Sequence, residues 1–112
     1  MNLVPPVDSA SALFKALGSP LRLAVVTALD ENGPLCVHEL VDLLGASQPL
    51  VSQHLRVLRA ADVVRGVRRG KEIAYEIADL HVAHIVRDAV RHTAEPHLAA
   101  AAGSSSAQEV LA

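Results

Sequence analysis

A helix-ending signal at Gly45 and a helix-starting signal at Ser47-Gln48-Pro49 stand two residues apart, so the apolar stripes on either side must belong to two helices joined by a tight turn. Before the turn, Val37, Leu40, Val41 and Leu44 make one face of a helix from Cys36 to Leu44. After it, Val51, Leu55 and Leu58 recur at i, i+4, i+7 along a helix that runs to about Ala61. Ser52, Arg56 and Arg59 repeat the same spacing on another face, joined by Gln48 and Gln53. One side of this helix is core and the other hydrogen-bonds. Pro49 is tolerated because a first-turn N–H has no intrahelical acceptor to lose.

The segments 63–67 (VVRGV) and 72–77 (EIAYEI) are rich in β-branched residues and flank Arg68-Arg69-Gly70-Lys71, which reads as a hairpin with a basic tip. Upstream, Leu13, Phe14 and Leu17 give a short helix over 9–17, and Ser19-Pro20 opens a second that stops at Asn32-Gly33-Pro34. Downstream, Asp79 caps a last helix over 80–94, with Val82, Ile85, Val86, Ala89 and Val90 as its apolar stripe and Pro96 as its stop. The expected organisation is a flexible arm over 1–8, one domain over 9–98 and a disordered Ala/Gly/Ser-rich tail over 99–112.

Helix, tight turn, polar-faced helix and basic hairpin in that order predict a mainly α fold with a β-hairpin wing, a winged helix-turn-helix. The net charge of −2 argues against indiscriminate nucleic-acid binding. Between Ser47 and Lys71, however, six cations stand against the single acid Asp62. Phe14 and Tyr75 are the only aromatic residues, so a stacking platform for single strands is missing and the expected partner is double-stranded DNA. Ser47, Gln48, Ser52 and Gln53 suit base edges, Arg56 and Arg59 suit guanine or phosphate, and Arg68, Arg69 and Lys71 supply charge to the backbone. The competing reading is a helical interaction module whose arginines only solvate a surface. It leaves the agreement of helix, turn and hairpin unexplained.

No phosphate loop or nucleophile motif appears, so the chain reads as a non-enzyme. MNLVPPVDS has neither a basic leader nor a long apolar run, and no window reaches the roughly 18 apolar residues of a membrane span; the expectation is a cytoplasmic protein without a membrane partner.

The segments ALGSPLRLAVVTAL (16–29), CVHELVDLLGASQPLVSQHLRVLRAADVV (36–64) and RRGKEIAYEI (68–77) resemble the ArsR/SmtB family of bacterial metal-sensing repressors, across nearly all of 10–97. The resemblance implies a homodimer that represses as the apo protein and releases its operator on binding an inducer. The apolar stripe of the last helix agrees with pairing through the first and last helices, since it would otherwise expose apolar surface on a small domain.

Four of the six histidines, His81, His84, His92 and His97, lie in or just beyond the last helix. His81 and His92 are 11 residues apart, about 16 Å along a helix, so one chain cannot bring both to one ion. Eleven residues is close to three turns, so both share a face, and an antiparallel pairing near Ile85 and Val86 sets His81 opposite the partner's His92. Asp79 and Glu95 would then complete two equivalent sites of two nitrogens and two carboxylate oxygens. That set suits tetrahedral Zn2+, with Co2+ next. The spacing D-x-H-x10-H-x2-E resembles the intersubunit zinc site of the family's zinc sensors. Taken singly, Asp79 is an ordinary N-cap. By resemblance to nickel sensors, His84 and His97 are additional donors for Ni2+; the plainer reading makes them bystanders. In relatives a ligand histidine also hydrogen-bonds backbone at the end of the reading helix, which here implies a link from His92 towards Asp62.

Cys36-Val37-His38-Glu39 resembles a second family site, where a thiolate and a carboxylate are completed by Cys or His from the partner's N-terminal arm. Residues 1–35 contain neither. Soft-metal sensing is therefore not expected, and Cys36 reads as a small buried hydrophobe.

Overall fold

The computed structural model describes residues 5–95, arranged as α1 (Pro5–Leu17), α2 (Pro20–Asn32), β1 (Leu35–Cys36), α3 (Val37–Leu44), α4 (Gln48–Ala60), β2 (Val64–Arg69), β3 (Glu72–Ile77) and α5 (Leu80–Thr93). Local chemistry sets most of these boundaries. The Ser19 hydroxyl accepts from Arg22 N and Pro20 follows it at the start of α2. Gly45 ends α3 with φ +66, a left-handed residue whose N–H reaches Val41 O. Ser47 accepts from Leu50 N to open α4. At the far end of α4, Asp62 adopts φ +60 while its N–H bonds Arg59 O and Val63 N bonds Leu58 O. These two bonds make a Schellman close with aspartate where glycine is usual.

The core lies where α2, α3, α4 and α5 converge on the root of the hairpin. Val25, Val26, Leu29, Leu40, Val51, Leu55, Leu58, Val63 and Val64 are buried there, with Val82 and Val86 of α5 packed on top. Burying such side chains contributes about 1.5–3 kcal/mol each. Among the described residues no polar or charged side chain is buried.

Three expectations need correction. The first helix starts at Pro5, so 5–8 are helical rather than part of an arm; Pro5 and Pro6 sit in a first turn, where the missing N–H costs little. Phe14 on this helix is 57% exposed. Residues 35–36, read as loop and helix start, form a short strand that pairs antiparallel with β3, giving a three-stranded sheet in the order β1-β3-β2. The hairpin is also tighter than expected. Arg69 pairs with Glu72, leaving only Gly70 and Lys71 in the loop, with Gly70 at φ +64. Arg68 and Arg69 therefore belong to β2. The tail over 99–112 and His97 lie outside the described residues. No single helix among the described residues is long and apolar enough to cross a membrane.

Candidate nucleic-acid interface and metal-binding groups

The inward triplet Val51, Leu55 and Leu58 fixes the rotation of α4, and that rotation leaves Gln48, Gln53, Arg56 and Arg59 exposed and Ser52 half-buried. Ser47 stands exposed at the N-terminus of the helix. Ser52, Arg56 and Arg59 line one wall of a shallow cleft of about 170 Å³ whose other wall includes Val37 and Tyr75. The Arg22 guanidinium ties the rear of this helix down: Nε donates to Ala16 O at 2.6 Å, and Nη1 lies 3.0 Å from Nδ1 of His54. Among the described residues Arg56, Arg59, Arg68 and Lys71 make no ion pair. Arg56 and Arg59 stand exposed on α4, and Arg68 and Lys71 on the hairpin, as cations without an ion pair, which leaves them free for phosphate.

Arg69 differs from the other predicted contact residues. Its side chain turns back from the wing towards the start of α3, donating to Glu39, to the Pro34 carbonyl at 3.3 Å and to Cys36 Sγ at 3.2 Å. Glu39 also accepts from Cys36 N at 2.8 Å, reaching back over the first turn of α3. That backbone bond, with Arg69, holds the Glu39 carboxyl below its ordinary range, and Glu39 in turn raises Arg69.

Cys36 Sγ donates to Glu72 at 3.2 Å, and His38 Nε2 lies 3.3 Å from the other carboxylate oxygen. Burial first, and then Glu72, push the thiol up; the bond from Cys36, followed by His38, draws Glu72 down. Cys36 is buried as expected, but it has polar partners. The reason is register. Cys36 pairs with Ala74 in β3, so Glu72 lies on the same face of the ladder as its diagonal neighbour, and His38 in the first turn of α3 reaches the same carboxylate. A reading without β1 had no means of finding this.

At α5 the predicted ligands stand in two groups, Asp79 and His81 at the start of the helix and His92 and Glu95 at or just past its end. Asp79 accepts from His81 N at 2.9 Å and its Oδ1 lies 3.2 Å from His81 Nδ1, on an imidazole that is 96% exposed. His92 occupies the last turn, and Glu95 N bonds His92 O at 3.3 Å. Three helical turns separate the pairs within one chain. His81, Ile85, Asp88 and His92 recur at i, i+4, i+7, i+11, so the histidines share one exposed face with Ile85 between them. The opposite face, through Val82, Ala83 and Val86, is buried. Of the predicted stripe, Ile85, Ala89 and Val90 remain exposed. His84 is exposed too and contributes to the field that lowers Asp30. The donor set, two imidazoles and two carboxylates without a competing internal partner for His92 among the ion pairs of the described residues, fits zinc.

Comparison with known proteins bears on the family and the fold. Residues 19–65 match the profile described as bacterial regulatory protein, arsR family. The HTH-type transcriptional repressor SmtB of Mycobacterium tuberculosis is 55% identical over 89 residues, which cover 80% of this chain and 65% of that protein. The chain thus spans about two-thirds of the length of that relative. The HTH-type transcriptional regulator NmtR of the same organism is 41% identical over 83% of this chain and 81% of its own length. Among solved structures, the homodimeric winged helix-turn-helix DNA-binding domain Mb0332 of Mycobacterium bovis superposes with a TM-score of 0.71 at 27% identity, over 82% of this chain and 83% of that one. The family is regulatory rather than enzymatic, in keeping with the absence of a nucleophile motif from the sequence. On the fold, the helix-turn-helix profile and the identity to its relatives, this chain belongs to the arsR family of bacterial regulatory proteins.

Proposed function

We propose that this chain is a cytoplasmic, metal-responsive repressor that binds operator DNA as an apo homodimer and leaves it when zinc bridges the two α5 helices. The observation that carries the reading is the exposed α5 face, on which His81 and His92 flank an uncovered Ile85 and stand beside Asp79 and Glu95. Each site would take Asp79 and His81 from one protomer and, from the other, His92 of the partner subunit and Glu95 of the partner subunit. Zinc supplies a closed four-ligand bridge there, which suits a structural rather than a hydrolytic role. The apolar exposure of α1 at Val7 and Phe14 and of α5 at Leu80, Ile85 and Val90 supports a dimer through these two helices.

In this reading Gln48, Ser52, Gln53, Arg56 and Arg59 enter the major groove, with Ser47 at the helix N-terminus, while Arg68 and Lys71 meet phosphates. Arg69 anchors the wing to α3. Zinc favours a dimer whose two reading helices no longer match successive major grooves. The test is fluorescence anisotropy on a duplex carrying the chain's own promoter region, with apo protein and with zinc, cobalt or nickel added. Tight apo binding released best by zinc is expected. Release by nickel in preference to zinc would move the inducer assignment, and no apo binding would overturn the reading.

A further inference from the structure

The helix α4 exposes carbon as well as charge. Leu50 is 41% exposed and Val57 37%, and neither belongs to the core cluster or to the half-buried side chains packed around it. Leu50, Gln53 and Val57 recur at i, i+3, i+7, so the glutamine stands between two uncovered apolar side chains on one stripe. The stripe runs along the far side of the outward face from Ser52, Arg56 and Arg59, which line the cleft with Val37 and Tyr75. The tip of the helix carries the same chemistry. Pro49 has no N–H, and the N–H groups of Leu50 and Val51 are taken by the hydroxyl and the carbonyl of Ser47. This N-terminus is therefore poorly equipped to grip a phosphate through its backbone. Apart from Gln48, its first turn presents the exposed hydrocarbon of Pro49 and Leu50.

We infer that Leu50, at the head of this apolar stripe, reads the methyl group of a thymine in the operator, beside the base pair that Gln53 contacts. The inference rests on the proposed entry of α4 into the major groove and adds a sequence rule to it. A reading helix meets base edges with its N-terminal residues, which brings Leu50 to the groove floor. The apolar group displayed there is the C5 methyl of thymine. Glutamine can engage N6 and N7 of adenine, and the thymine paired with that adenine shows its methyl on the same edge. A glutamine flanked by apolar side chains is thus equipped for A·T pairs. Arg56 and Arg59, exposed on the same helix and without an ion pair among the described residues, make a polyanion that carries methyl groups the fitting occupant.

Deoxyuracil differs from thymine by the methyl alone and leaves the protein untouched. Thymines in a duplex carrying the chain's own promoter region are replaced one at a time, and binding of the full apo chain is followed by fluorescence anisotropy. At one or two positions in a half-site the wild type should lose about fourfold in affinity, the value of one buried methyl, and about fifteenfold when both half-sites are changed. Leu50→Ala should bind the thymine duplex more weakly and be indifferent to those replacements, while Leu50→Met should keep the sensitivity. Leu50 lies outside the core, so it can be cut back without opening a cavity. Wild-type binding that ignores every replacement would overturn the inference and leave the repressor reading standing; absence of binding to the thymine duplex would overturn both. Unchanged sensitivity in Leu50→Ala would also overturn it, and a weakened dimer of that variant in sedimentation would then give the stripe to a second copy of the chain.

Discussion

Two hydrogen bonds, 2.9 and 3.0 Å long, run from the Arg87 guanidinium to the Asp30 carboxylate and fasten α5 to α2. Arg87 lies between His81 and His92 in sequence, so the clamp joins the helix that carries both histidines to the body of the fold. Arg87 is the first cause holding the Asp30 carboxyl below its ordinary range, and burial only partly opposes it. A depressed carboxylate contributes stability above its unfolded pKa, about 3.9, and that contribution is lost as pH falls through the lower folded value. Asp30→Asn should therefore lower the urea midpoint at neutral pH and flatten the acid limb of a midpoint-against-pH series. An unchanged limb would show that the clamp is not coupled to folding.

Leu58 is fully buried on the inner face of α4. Truncation to alanine leaves a cavity behind the reading helix and should cost about 2–5 kcal/mol in urea unfolding. A loss below 1 kcal/mol by the same measurement would mean that α4 is not held by this triplet.

Asp62 bears a left-handed backbone at the close of α4. Glycine adopts that conformation without a Cβ penalty, so Asp62→Gly should stabilise the fold by up to roughly 1 kcal/mol, while Asp62→Val should destabilise it. Thermal denaturation of both variants checks the sign. A less stable Asp62→Gly would give the carboxylate itself a role at this position.

Arg68 and Lys71 are unpaired among the described ion pairs, whereas Arg69 is engaged by Glu39. Replacing Arg68 and Lys71 together with alanine removes four cations per dimer and should weaken every duplex alike and reduce the salt slope by roughly 4. Gln53→Ala should instead relax sequence preference, at about 1–3 kcal/mol for the affected base pair. Salt titrations on operator and scrambled duplexes distinguish them, and equal loss of specificity from both changes would contradict the assigned roles.

The parts of this molecule that sequence reveals are those written in adjacent residues. Ser19-Pro20, Gly45 and Ser47 state their helix ends by capping chemistry, and the i, i+4, i+7 series in α4 states which side faces inward. What stays hidden depends on partners distant in the chain. Strand β1 has two residues and no alternation to read, and it exists because β3 lies beside it. The Cys36–Glu72 contact follows from that pairing and was missed with it. Arg69 looked like a tip residue because RRGK permits a two- or four-residue loop, and only the register decides. For α5 the D-x-H-x10-H-x2-E spacing is legible, but Asp79 and His81 stand three turns from His92 and Glu95, and one chain does not bring them together.

The central claim is that zinc and operator DNA bind to opposing states of one dimer, and coupling of that kind is reciprocal. Isothermal titration of zinc into the free protein and into the protein saturated with operator duplex measures it directly. The account predicts weaker zinc binding on DNA by the factor that zinc imposes on operator affinity, about 5–150-fold. The effect should be absent in the His81→Ala, His92→Ala variant. Equal zinc affinity in the presence and absence of operator would contradict it.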